Sequence, residues 1–275
     1  MIIDTHIHLF AADLDSFPYH PEGSYQPSTP STLEDYVPAM DEAGIAGAVL
    51  VHAEPYLDDH RYTLHCLQNE PRLKATCLYA PHDSEGPEKM KALVELAGPG
   101  QIVAFRIHAY REGGIPDLNS PSLRALWGAA VDLGLAVQLH FVPKYAIAFA
   151  ELIRNFPGST VIIDHLGRPG QGTAVEYEGV LALAEFDRTF LKLSAVASAS
   201  SEPWPHRDVA PLVKRLVDRF GSSRVIYGGG YSPGTTGEDY TKGYRLVSEL
   251  LGHLPATDKE LILGKNAKEL FGFEV

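Results

Sequence analysis

The chain has 275 residues, 45% of them apolar, with 23 basic and 35 acidic side chains and a formal charge of -12. That acidity argues against nucleic acid and anionic membranes as partners, since both call for a basic face. Two cysteines, Cys66 and Cys77, are too few for a disulfide framework. The opening MIIDTHIHLF lacks a basic leader, and no run approaches the ~18 apolar residues of a membrane span, so the expectation is a cytoplasmic protein.

Strand-like runs fall at Ile2–His8, Ala48–His52, Ala75–Tyr79, Ile102–His108, Ala136–Phe141, Val161–His165, Phe190–Ser194 and Val225–Gly229. Helical spacing separates several of them, at Leu33–Ala43, Glu88–Ala97, Ser122–Leu133 and Val209–Phe220. Thr32 with Asp35 forms a capping-box pattern closed by Gly44, and Asn119-Ser120-Pro121 opens a helix that Gly134 stops. Eight strands alternating with helices over residues 1–275 predict one α/β domain, a (β/α)8 barrel. An open doubly wound sheet is the weaker reading, because no Gly-rich phosphate fingerprint follows the first strand. Connections entering strands are short, as at Gly44-Ile45-Ala46. Those leaving them are long, as at Phe10–Ser31, Tyr110–Ser120 and Val196–Pro205, which places a site at the C-terminal mouth. The first long loop could serve as a lid.

Of twelve histidines, six sit at strand ends: His6, His8, His52, His108, His140 and His165. Taken singly, a strand histidine is usually a hydrogen-bonded structural residue. Six at one topological position converge on one mouth. Period-two alternation puts His6 and His8 on one face with Asp4 below them, pairs Arg106 with His108 and Gln138 with His140, and turns Asp164 away from the mouth. A His-x-His pair can bind a metal through two imidazoles.

Asp4-Thr5-His6-Ile7-His8 resembles the opening motif of the amidohydrolase superfamily. Ile163-Asp164-His165-Leu166-Gly167-Arg168-Pro169 resembles the sixth-strand motif of its amidohydrolase-2 branch, which includes lactonases for sugar lactones and 2-pyrone-4,6-dicarboxylate. Ile262 through Gly272 resembles its C-terminal helix. The resemblance covers nearly the whole chain. It implies a distorted (β/α)8 TIM barrel and a hydrolase that opens a lactone of a small sugar acid or other carboxylated substrate. It implies His6, His8 and His165 as ligands of one divalent metal, zinc first, although some of these lactonases work without metal. Arg106 stands where relatives with two metals carry a bridging Lys or Glu, so a binuclear centre is not expected.

His165 and Arg106 are the catalytic candidates, and His52, His108, His140, Arg168 and Tyr231 the substrate-binding ones. Arginine forks suit carboxylates. Arg61 and Arg111 read as structural ion pairs. Tyr19, Tyr25 and Tyr56 could also wall a pocket. Ser194 lacks a nucleophile elbow and reads as a pocket or structural residue. The resemblance places the general base in a Gly-Ser-Asp-like motif after strand eight. Here that segment is Gly228-Gly229-Gly230, so Gly230 stands at the base position, and Glu238 and Asp239 lie too far along to replace it. The favoured reading is a lactonase-like hydrolase deprived of that base. A non-catalytic binding protein on the same scaffold and a decarboxylase are the alternatives. The expected partner is a small molecule, with homo-oligomers allowed.

Overall fold

A computed structural model of the chain describes residues 1–111 and 115–275; part of the expected loop Tyr110–Ser120 therefore lies outside the described residues. Eight parallel strands form one sheet in sequential order: β1 (Ile2–Ile7), β2 (Ile45–Leu50), β3 (Leu73–Leu78), β4 (Ile102–Ala109), β5 (Ala136–Phe141), β6 (Val161–Ile163), β7 (Thr189–Leu193) and β8 (Val225–Tyr227). The sheet curls into a (β/α)8 barrel. Helices α1 (Leu33–Glu42), α2 (Arg61–Asn69), α3 (Gly86–Ala97), α4 (Pro121–Asp132), α5 (Ala146–Asn155), α6 (Ala174–Ala182), α7 (Ala210–Phe220) and α8 (Gly237–Leu250) lie outside it, followed by α9 (Ala256–Glu260), a π-helical turn and α10 (Asn266–Phe271). No helix among the described residues is long and apolar enough to cross a membrane.

Local chemistry sets these boundaries. Thr32 and Asp35 cap α1 reciprocally, and Thr173 with Glu176 and Thr236 with Asp239 repeat the device on α6 and α8. Ser120 accepts from the Leu123 amide, and Pro121 sits where its missing N–H costs nothing. Strands expected to reach His8, His165 and Gly229 end one or two residues earlier, because the chain turns at the mouth. Gly44-Ile45-Ala46 is not a connection, since β2 already begins at Ile45.

Inward-facing side chains form layers. Ile3, Val49, Ala104, Ala136, Ile162 and Ile226 make the apolar lower layer, which Ala267, Phe271 and Phe273 abut from the C-terminal segment. Two residues further along β4 and β5 the same face carries Arg106 and Gln138, and Asp164 just beyond β6 and Lys192 on β7 complete the layer, all buried. The seam between β8 and β1 is closed above the floor by individual bonds. The Thr5 hydroxyl donates to the Tyr227 carbonyl (2.6 Å), the Gly230 amide to His6 O (2.8 Å) and the His8 amide to Tyr231 O (2.8 Å). The barrel is distorted there.

Candidate active site

A polar floor crosses the barrel at the level of Asp164. Arg106 Nε and Nη2 donate to its Oδ2 at 2.9 and 2.8 Å, and the Gln138 amide donates to the same oxygen at 2.9 Å. Lys192 Nζ faces Oδ1 at 3.1 Å and donates to the Thr5 carbonyl at 2.9 Å. Asp164 is thus not turned away from the mouth, as alternation counted from His165 had implied. Alternation counted from Ile162 brings it inward, and His165 reaches the same side because the backbone reverses. His165, Leu166, Gly167 and Arg168 all adopt positive φ, at 53°, 57°, 69° and 52°. Such a run of left-handed residues is costly and concentrates at functional sites. The cations beside Asp164, led by Lys192 and then Arg106, hold its carboxyl well below the usual range against the opposing effect of burial.

Above the floor lies a cavity of about 420 Å³ lined by His6, His8, Glu54, Arg106, His140, His165, Arg168 and Ser194, with Tyr25, Tyr110, Arg111 and Gly230 at its sides. Lys192 can only donate, so His6 Nδ1, 3.4 Å from Nζ, accepts. His8 Nδ1 lies 2.8 Å from the Val51 carbonyl, which only accepts, so that nitrogen carries the proton. His6 Nε2–H then donates to His8 Nε2 at 3.2 Å. His165 Nδ1 bonds the Ser194 hydroxyl at 2.9 Å, and Ser194 lines the cavity. His140 is held at both nitrogens, by Arg168 Nε at 2.6 Å and Arg106 Nη2 at 3.2 Å. Tyr110 stacks on His140, with centroids 3.9 Å apart, and Arg168 lies 4.7 Å over the Tyr110 ring.

Several expectations need correction. Asp4 does not share the face of His6 and His8. The β1–β2 register slips between Asp4 and Ile7, and this irregularity turns the carboxylate outward. There it accepts from the His6 and Gly229 amides (2.8 and 2.7 Å) and the Tyr240 hydroxyl (2.6 Å), and burial raises its pKa to about 6. His52 is buried, with Nδ1 on the Thr63 hydroxyl (2.7 Å) and Nε2 on the Leu57 carbonyl (2.9 Å); both ring nitrogens are committed to structure, away from the cavity. Tyr231 packs between Tyr36 and Tyr240 (centroids 4.9 and 5.3 Å) and lines no part of the cavity. Among the loop tyrosines, Tyr25 does line it, whereas Tyr19 and Tyr56 pack together at 5.1 Å.

Arg61 is a surface ion pair with Asp59, as expected. Arg111 reaches the cavity, 3.5 Å from Glu54. His108 lines an adjoining cavity of about 350 Å³, its Nδ1 3.0 Å from Glu54.

Two participants were missed. Lys192 has a signal: a lysine in the middle of Phe190–Ser194, where a parallel strand covered on both faces should be apolar throughout. Glu54 has none, being an ordinary loop carboxylate. It is nonetheless the one acidic side chain lining the larger cavity among the described residues. Its contacts with His108, Tyr110 and Arg111 outweigh burial and hold its pKa down at about 2.

Burial keeps the histidines neutral, and Arg106 reinforces it at His8, His108, His140 and His165. His8 and His165 are lowered to about 3 and His52 to about 4, with desolvation first among the causes in each. Their unfolded counterparts protonate near 6.5, so below that pH the unfolded chain binds protons that the native chain refuses, and stability falls as pH drops. Asp4 acts oppositely: raised to about 6, it takes up a proton in the native state first and offsets part of the loss. Native stability should therefore drop between pH 7 and pH 5 by on the order of 3 kcal/mol, after discounting the partly exposed His8 and His165. Urea midpoints at the two pH values read this directly, and equal midpoints would refute it.

His6, Asp164 and His165 each bring a donor atom within 4.8 Å of the others, a spacing open to one cation. The donors as arranged do not fit a divalent ion. Asp164 is shared between two cationic side chains, and His6 accepts at one nitrogen and donates at the other.

The amidohydrolase family model matches residues 3–273. The chain is 26% identical to 4-sulfomuconolactone hydrolase of Rhizobium radiobacter over 228 residues, covering 82% of this chain and 73% of the relative. It is 24% identical over 273 residues to 2-pyrone-4,6-dicarboxylate hydrolase of Comamonas testosteroni (93% and 84%). It is 25% identical over 235 residues to L-fucono-1,5-lactonase of Burkholderia ambifaria (82% and 78%). Among solved structures, a probable 2-pyrone-4,6-dicarboxylic acid hydrolase from Acinetobacter baumannii with citric acid bound superposes with a TM-score of 0.80 at 24% identity, over 99% of both chains. A zinc-bound amidohydrolase from Burkholderia multivorans gives 0.78 at 15% identity, also over 99% of both. With the family model spanning both the His-x-His strand and the C-terminal helix, the chain belongs to the amidohydrolase family.

Proposed function

We propose that this barrel hydrolyses the lactone of a small carboxylate-bearing acid. The observation that carries the reading is the charge of the site. Arg106, Arg111, Arg168 and Lys192 face Asp164 and Glu54, a net charge of +2 with the histidines neutral, inside a chain whose net charge is -12. A concentration of positive charge against the sign of the whole molecule suits an anionic substrate. The three curated relatives, each named for hydrolysis of a lactone or pyrone, supply the bond to be broken.

The arrangement around His140 suggests where the carboxylate binds. Two guanidinium donors face this imidazole, which when neutral has one lone pair. One contact therefore sets donor against donor. A carboxylate that draws Arg168 off His140 relieves it and gains a fork-shaped partner. Arg106 stays anchored on Asp164 and donates to the carbonyl oxygen of the lactone as negative charge develops there. His165 takes the proton of the attacking water. Its basicity in the free site is depressed by burial and by Arg106, Arg168 and Lys192, and an anionic substrate offsets those charges. Attack forms the new C–O bond, the ring C–O bond breaks, and the ring oxygen leaves as a hydroxyl with the proton that His165 took from the water.

A panel of lactones with and without a carboxylate, followed by acid release, tests the reading. Carboxylated members should be opened, and Arg168→Met should raise their KM by about 10- to 100-fold, the worth of a charge-assisted pair, with little change for neutral ones. Gly230 favours a second reading, a binding protein without catalysis. Tight binding of carboxylated lactones by calorimetry, with no turnover by this chain or by Gly230→Asp, would establish that instead.

A further inference from the structure

We propose that the Lys192 ammonium is the resident cation of this site, occupying by charge the position a divalent ion would take between His6, Asp164 and His165. Lys192 lies at the centre of β7 and is fully buried. Its Nζ is fixed by an ion pair with Asp164 Oδ1 at 3.1 Å and by two acceptors, the Thr5 carbonyl at 2.9 Å and His6 Nδ1 at 3.4 Å. Asp164 and His6 are two of the three side chains whose spacing would otherwise admit a metal.

The consequences for a metal are direct. One carboxylate oxygen belongs to Lys192 and the other to Arg106 and Gln138. His6 is set as the Nε2–H tautomer, so its lone pair points at the ammonium and its proton at His8. A divalent ion entering beside two cations and one carboxylate would leave a buried charge of +3, which low-dielectric surroundings penalise heavily. Room for the lysine is part of the same arrangement. A Cβ on Gly228 would come within 3.3 Å of Lys192 Cδ and 2.9 Å of the His6 and Ser194 Cβ atoms. The glycine lets the lysine stem pass to its acceptors.

Zinc content after equilibration with zinc and dialysis tests this without reference to turnover, so it can fail independently of the lactonase reading. The unchanged chain should retain no stoichiometric zinc. Lys192→Ala, which frees Asp164 Oδ1 and the His6 Nδ1 lone pair, should take up about one zinc per chain, and cobalt in its place should give the visible absorption of histidine ligation. Stoichiometric zinc in the unchanged chain overturns the proposal, as does a folded Lys192→Ala that binds none. Should Lys192→Ala fail to fold, Lys192→Met keeps the volume without the charge. Nitrogen-15 spectra of the unchanged chain also read the tautomer: His6 protonated at Nε2 supports the proposal, and protonation at Nδ1 overturns it.

Discussion

Gly230→Asp is expected to raise the rate of lactone opening by about 10²- to 10⁴-fold, the usual worth of a positioned general base. The structure leaves room for it. Nothing lies within 4 Å of the position a Cβ would take, and Gly230 already lines the larger cavity. Its backbone is left-handed, at φ +79°, which costs an L-residue about 1–2 kcal/mol, and aspartate is among the side chains that tolerate that region best. The Gly230 amide is tied to the His6 carbonyl at 2.8 Å, so a carboxylate there would be held close to the imidazoles. The test compares kcat on whichever carboxylated lactone this chain opens or binds. An unchanged kcat in a folded variant would mean that position 230 is not a base position in this barrel.

Asp164→Asn should lower stability by about 3–5 kcal/mol, the cost of removing one partner from a buried ion pair. The two cations it separates, Arg106 and Lys192, are both buried and would face each other without a counter-charge. The amide keeps the shape and still accepts a hydrogen bond, so the loss isolates charge from packing. A melting temperature lower by roughly 10 °C is the expected readout, with hydrolysis reduced as Arg106 loses its anchor. A shift under about 1 kcal/mol would show that the floor is not held by Asp164.

The barrel was legible because its signals are local and repeated: apolar runs of strand length, capping boxes, and a mouth marked by long exits from the strands. His6, His8, Arg106, His140, His165 and Arg168 were legible for the same reason, each sitting at a strand end that alternation or the turn just beyond brings inward. Both misplaced carboxylates trace to a break in alternation. At Asp4 the β1 register slips, and after Asp164 a left-handed turn lets two successive residues face the same side. Neither irregularity has a sequence mark of its own. His52 and Tyr231 were misjudged because a place at a strand end or in a mouth loop does not say what the neighbouring segments will pack against it. Leu57 and Thr63 take up His52, and Tyr36 and Tyr240 enclose Tyr231.

The packing around the glycine run also bears on how such a barrel can change its chemistry over generations. One second-base change turns any glycine codon into one for aspartate or glutamate, so a step to a carboxylate is open on paper at all three positions of the run. At 228 the new side chain meets His6, Ser194 and Lys192, and at 229 it meets the Asp4 carboxylate first and then Tyr227 and Tyr240 at 2.7 and 2.8 Å. Only at 230 does it enter open space. Selection on this strand end therefore has a single mutational step through which a carboxylate can be gained or lost while the barrel stays folded.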